Sequence, residues 1–118
     1  MAVDKDTLRM TMLFDFYGDL LTEKQREYFD LYHNEDQSLS EVAENAGISK
    51  QGVHDIIKRA EKTLVRIEQK TKIIEKWQNN KVELIKAEAY ANQLLSNLHG
   101  KEAIDTVNKL IAIIKVLQ

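Results

Sequence analysis

One stretch, Leu39-Ser-Glu-Val-Ala-Glu-Asn-Ala-Gly-Ile-Ser-Lys-Gln-Gly-Val-His-Asp-Ile56, restricts the possible folds of this chain more than any other. Two helices that cross closely need a small side chain inside the first and a residue tolerant of positive φ at the turn. They also need apolar residues beyond the turn to lock the crossing. Ala43 is the small residue, and Gly47, four positions on, suits a left-handed turn. Ile48, Val53 and Ile56 supply the apolar side, and Ser49 can cap the second helix. The spacing predicts a helix-turn-helix over residues 38–60. The same packing also serves a helical hairpin that never touches nucleic acid, so the motif alone leaves the partner open.

The rest of the chain reads as helix. It has no proline, which permits long helices, and only four glycines. Leu8, Met12, Phe16 and Leu20 recur every four residues, with Leu13 and Tyr17 beside them, and predict an apolar stripe on a first helix that ends near Gly18. Thr22 to Gln25 has capping-box form and should open a second helix running to about Tyr32, with Tyr28, Phe29 and Leu31 buried. Residues 34–37 form a polar loop, too short and too poor in glycine to hold calcium. Ser38 to Glu41 is a second capping box, with Leu39, Val42, Ala43 and Ala46 expected inward. The next helix places Val53, Ile56, Ile57, Ala60, Leu64 and Ile67 on one face, a periodicity that continues past residue 70. Asn79 and Asn80 could mark a bend, and Gly100 a stop. Trp77, Leu84, Ala91 and Leu98 lie seven apart, and Ala103, Val107, Leu110, Ile114 and Leu117 follow at 4-3-4-3 spacing, supplemented by Ile104 and Ile111. These rows favour packing along another helix. The expected fold is all-α with five or six helices: a helix-turn-helix domain over 1–70 and a helical extension over 71–118. The extension either folds back or pairs with a second chain. A homodimer is expected through Trp77, Leu84, Val107, Leu110, Ile114 and Leu117.

Charge is distributed unevenly. The net charge of −2 argues against a nonspecific nucleic-acid coater. Residues 1–49 carry four basic and eleven acidic side chains, residues 50–72 seven and three, and residues 73–118 six and five. The basic excess therefore falls on the second helix of the motif. Lys58, Arg59, Lys62 and Arg66 lie on or beside one face and could meet phosphates, giving weak, salt-sensitive binding. Alternatively, Lys58 and Lys62 pair along the helix with Glu61, Asp55 or other nearby carboxylates.

At this point the sequence resembles the region-four helix-turn-helix of bacterial sigma factors. Thr22-Glu-Lys-Gln-Arg-Glu-Tyr-Phe-Asp-Leu31 corresponds to the helix before that motif, and Ser38 to Leu64 to the motif itself. Leu13-Phe-Asp-Phe-Tyr-Gly-Asp-Leu-Leu-Thr22, with Ile57-Lys-Arg-Ala-Glu61, is similar more closely to the small YlxM-type proteins; the strongest matches cover residues 8–66. That resemblance implies an accessory or regulatory role in the signal recognition particle pathway, with the particle's RNA, DNA or the particle's protein components as partners. By resemblance to the sigma domain, Lys50, Gln51, His54, Asp55 and Lys58 would reach base edges. The chain departs from that pattern, with Gly52 and His54 where basic residues are usual and Asp55 where glutamine is usual. No arginine, the usual guanine reader, precedes Arg59 on this helix. Weak phosphate contact is expected rather than strong sequence readout. The fold analogy alone would give a DNA-binding transcriptional regulator. A third reading is a protein adaptor whose helix-turn-helix is purely structural, its acidic first 49 residues docking on a basic surface.

Other classes of function find little support. His33, His54 and His99 are far apart, there is no cysteine and no glycine-rich phosphate loop, so neither a metal nor a cofactor is expected. Ser38, Ser40 and Ser49 read as helix starts, and the carboxylates fall on exposed faces, so no enzyme is expected. No apolar run approaches the ~20 residues that span a bilayer, and the first residues carry carboxylates where a signal peptide is basic; a soluble, cytoplasmic protein is expected. Trp77 reads as core or helix-pair packing, with nucleobase stacking or partner anchoring as the alternative, and the aromatic residues from Phe14 to Tyr32 read as core.

Overall fold

The computed structural model describes residues 5–118. It is all-α, with no strand among the described residues. Six α-helices follow in order: α1 (Lys5–Tyr17), α2 (Glu23–Phe29), α3 (Leu39–Ala46), α4 (Lys50–Thr71), α5 (Ile73–Ser96) and α6 (Lys101–Leu117). The chain divides into two compact units, one up to Ile74 and one from Glu75 to Gln118.

In the first unit the helix boundaries follow local chemistry. Thr22 accepts a hydrogen bond from the Gln25 amide at 3.2 Å, and the Gln25 side chain accepts from the Thr22 amide at 3.1 Å, which starts α2. The helix then widens into a single π-type turn, Asp30–Asn34, before the loop to Ser38. Ser38 accepts from the Glu41 amide at 3.1 Å, so α3 opens on one half of the expected box. Gly47 sits at φ 72°, and Ser49 caps α4 by accepting from the Gly52 amide at 3.0 Å.

Two buried clusters stack along α4. Val53 and Ile57 join Tyr28, Val42 and Ala43 between α2, α3 and α4. Ala60 and Leu64 join Leu13, Tyr17, Leu21, Phe29 and Ile74. Phe14 stacks on Phe29 with ring centroids 4.9 Å apart. The α1 stripe differs from expectation. Leu8, Phe16 and Leu20 are exposed, and the buried positions are Leu13, Tyr17 and Leu21. The inward face is centred on Leu13 and Tyr17, which flank the stripe, with Met12 packed against them, and the Tyr17 hydroxyl ends in a polar network at the end of α4. Ala46, too, is exposed, one position before the turn.

That network also decides where α4 stops. The Tyr17 hydroxyl donates to Glu68 Oε1 at 2.5 Å and lies 2.8 Å from Thr71 Oγ1. Glu68 Oε1 accepts from the Ile74 amide at 3.0 Å, and Thr71 Oγ1 from the Ile73 amide at 3.3 Å. Lys72, at φ 53°, turns the chain between the two helices. Asn79 and Asn80 therefore mark no bend: both lie inside α5, and the break falls seven residues earlier, where side chains satisfy the free amides of the new helix. Burial, and then the bond to Glu68, push the Tyr17 phenol above its ordinary pKa of 10.

The second unit is a hairpin of α5 and α6. Ala91, Val107, Ile111 and Ile114 are buried, with Leu84, Ala87, Leu95 and Leu98 packed around them. Gly100, at φ 96°, lies past the end of α5 and starts α6 rather than stopping the helix before it. Among the six expected dimer residues, Leu84, Val107 and Ile114 are used within this hairpin, while Trp77, Leu110 and Leu117 remain exposed.

Two stability changes follow. No neighbouring atom would touch a Cβ at Gly47, so Gly47→Ala carries backbone strain alone, about 1–2 kcal/mol in urea unfolding. Because the Tyr17 pKa is raised on folding, its contribution is complete below pH 10 and is lost as pH climbs towards the folded value. Tyr17→Phe should cost about 1 kcal/mol at neutral pH and flatten the alkaline limb of a stability-versus-pH curve.

Candidate nucleic-acid interface

The buried row Val53, Ile57, Ala60 and Leu64 fixes how α4 is rotated. At 100° per residue, Lys62 stands nearly opposite that row, and Gln51, Asp55, Lys58, Arg59 and Arg66 fall within about 60° of Lys62. The six form one outward strip, exposed along its length. Lys50 is exposed in the first turn of α4, off the strip, and His54 lies half-buried on the flank.

Their partners separate the strip into two parts. Near the turn, Gln51 Nε2 donates to Asp55 Oδ1 at 2.9 Å. His54 Nδ1 is shielded from solvent with no hydrogen-bond partner; its 3.6 Å approach to Asp55 Oδ1 is too long to be one. Two of the candidate base readers, Gln51 and His54, thus sit beside the carboxylate of a third, Asp55. Further along, Arg59, Lys62 and Arg66 have no carboxylate within ion-pair distance among the described residues. Lys58 is engaged instead, 3.2 Å from Glu61. Exposed Glu41 and Glu44 add negative charge to α3, the first helix of the motif.

Of the residues expected to lock the motif, Ala43 and Val53 are buried and Ile56 is half-buried against them. Ile48 is 39% exposed; its amide bonds to the Ala43 carbonyl at 3.2 Å, so its backbone closes the turn while its side chain stays at the surface.

One contact behind the strip had no sequence signal. His33 Nε2 lies 2.8 Å from Glu61 Oε1, with the two side chains only 12% and 13% exposed. The hydrogen bond to His33 outweighs burial and, with Lys58, holds the Glu61 carboxyl below its usual range. An ionised carboxylate only accepts, so the imidazole donates from Nε2. Phe29 and Tyr32 hold that imidazole, with centroids 4.3 and 5.0 Å away. The pair ties the π-type turn to the middle of α4 across 28 residues of sequence, and the only trace of it in the chain is that His33 follows Phe29 by one helical turn. Among the described residues no three His, Cys, Asp or Glu side chains are grouped to hold a metal, and no helix is long and apolar enough to cross a membrane.

A lowered folded pKa means that Glu61 stabilises the fold above its unfolded value near 4.5 and that this contribution is lost as pH falls. Glu61→Gln should cost about 1–2 kcal/mol at pH 7, with the difference from the parent shrinking on acidification below pH 4.5. Equal loss at pH 7 and pH 3 would contradict the assignment.

Residues 4–109 match the UPF0122 family, described as "Putative helix-turn-helix protein, YlxM / p13 like". A UPF0122 protein of Halalkalibacterium halodurans is 41% identical over 114 residues, covering 94% of this chain and 93% of its own. One from Shouchella clausii is 40% identical over 105 residues, 89% of this chain and 90% of its own. One from Thermoanaerobacter sp. (strain X514) is 49% identical over 86 residues, 71% of this chain and 74% of its own.

Proposed function

The chain belongs to the YlxM/p13-like helix-turn-helix family, and from that premise we propose that it is a non-enzymatic accessory factor of the signal recognition particle pathway that contacts structured RNA through the outward strip of α4. The observation that carries this reading is the separation along the strip. Arg59, Lys62 and Arg66 are exposed, unpaired cations, whereas among the positions that would read bases Gln51 and Asp55 bond to each other and Lys58 pairs with Glu61. Phosphates need only cations at the right spacing, and base edges need free, oriented donors and acceptors. At 1.5 Å per residue, Arg59 to Arg66 spans about 10 Å, enough to touch neighbouring phosphates along one backbone. Asp55 would stand towards DNA in a motif docked through the start of α4 and would oppose entry into the major groove. Recognition of an RNA helix by shape and backbone asks for no such entry. The partner assignment to the particle rests on family resemblance, and the cytoplasm is the compartment that assignment implies.

Fluorescence anisotropy of labelled signal recognition particle RNA and labelled random duplex DNA tests the reading. RNA binding should survive duplex competitor. Three phosphate contacts imply a loss of roughly 20–40-fold in affinity between about 50 and 200 mM salt. Arg59→Glu, Lys62→Glu and Arg66→Glu together should abolish binding without reducing helicity. Sequence-selective duplex binding would favour a transcriptional regulator. No binding to either nucleic acid at low salt would favour a protein adaptor.

A further inference from the structure

Between Arg59 and Lys70, α4 carries two carboxylates, Glu61 and Glu68. They stand seven residues apart on one flank of the cationic strip, and side chains from other elements draw both inward. Tyr17 on α1 donates to Glu68, whose Oε1 also accepts from the Ile74 amide. That bond completes the break between α4 and α5. Glu61 is different, because no helix ends near it. Its side chain borders a shallow groove that Lys62 and Arg66 also line, with Val65 and Gln69 between and beyond them.

The Glu61 carboxylate is divided between two partners. Oε1 faces His33 Nε2 at 2.8 Å, and Oε2 lies 3.2 Å from Lys58 Nζ. His33 stands on the π-type turn, a geometry that recurs at functional sites in helices. Phe29 lies against its ring and Tyr32 meets the ring edge-on, so the donor is aimed before Glu61 arrives. With Oε1 satisfied behind the strip, Glu61 has no need of Lys62 or Arg66.

We infer that His33 is a positioning residue of the phosphate-binding strip: it holds the Glu61 carboxylate off Lys62 and Arg66, so that a polyanion meets cations not already neutralised. The inference rests on reading the outward side of α4 as the nucleic-acid surface. Without the His33 donor, Oε1 is an ionised oxygen with little solvent and no partner, which is costly. The side chain then turns out to water, and the cations it meets there are those of the shared groove. A carboxylate so placed withdraws about one of the three phosphate contacts. One contact is worth about 0.7–0.9 in the slope of log affinity against log salt, or about 5–8-fold in affinity at roughly 0.1 M salt.

Two probes, signal recognition particle RNA and end-labelled inorganic polyphosphate, separate this role from the identity of the RNA. Each is titrated with the full chain between about 50 and 200 mM salt. His33→Leu keeps bulk against Phe29 and removes the donor; it should weaken RNA binding about 5–8-fold and make the salt dependence shallower for both probes. His33→Gln still offers Glu61 an amide donor and should keep the parent slope. Adding Glu61→Gln to His33→Leu should bring the slope back to the parent value or above it, because Lys58 is released as well. A merely structural His33 would lower the fraction of chain that is helical and able to bind, and would leave the slope of the folded fraction alone. An unchanged slope in His33→Leu, or a reduced slope that Glu61→Gln fails to restore, would overturn the inference. Polyphosphate binding that follows the expected pattern while RNA is not bound would count against the RNA reading and leave the positioning role standing. A parent chain that binds neither probe would overturn both.

Discussion

Four side chains on α4 govern the arrangement of the first unit. Val53, Ile57, Ala60 and Leu64 are essentially removed from solvent, and they serve two different clusters in succession. Fully burying an aliphatic side chain of this size contributes about 1.5–3 kcal/mol, so the three larger members alone bind α4 firmly to α1, α2 and α3. Ala60 contributes through its smallness, because it leaves room for Phe29 to be completely enclosed beside it. Once this row is inward, the opposite face of α4 is outward by helical geometry, and the placement of Arg59, Lys62 and Arg66 requires nothing more.

The ends and the middle of α4 are then secured by polar groups. Gly47 and Ser49 define its start through a left-handed turn and a hydroxyl cap. Glu68, Thr71 and Tyr17 define its end by satisfying amides of the following helix. Between them the His33–Glu61 pair removes one carboxylate from the cationic strip and uses it to anchor the π-type turn. Sequestering Glu61 leaves the outer face of α4 more positive than a count of its charges suggests, although Lys58 is drawn part of the way in with it.

Much of this was legible in the chain because it depends on neighbours in sequence. The Thr22 box, the Ser38 and Ser49 caps, Gly47 and the α4 row are all set within one or two turns. On α1 the apolar positions run wide, because Leu8, Phe16 and Leu20 are as apolar as Leu13, Tyr17 and Leu21; contacts with Phe29, Ala60 and Leu64, distant in sequence, set which of them are buried. The polar network of Tyr17, Glu68 and Thr71 places the helix break at Lys72 rather than at the paired asparagines, and Lys72, a residue with no turn chemistry of its own, adopts positive φ there. His33–Glu61 spans two elements and left no periodic signal. In α6 the apolar positions were visible, but merging Leu110 and Leu117 with Val107 and Ile114 concealed two distinct rows, and only burial separates them.

A helix buried on one side and cationic on the other, within a small helix-turn-helix protein, is the arrangement on which the functional account rests. The most direct measurement is an amide chemical-shift map of the full chain during titration with signal recognition particle RNA. The account predicts shifts concentrated from Lys58 to Arg66 on the outward side of α4, reversed by salt, with the buried row following only weakly. Shifts centred on Gln51 to Asp55 and the turn, or confined to the acidic surface of α1 and α2, would contradict it.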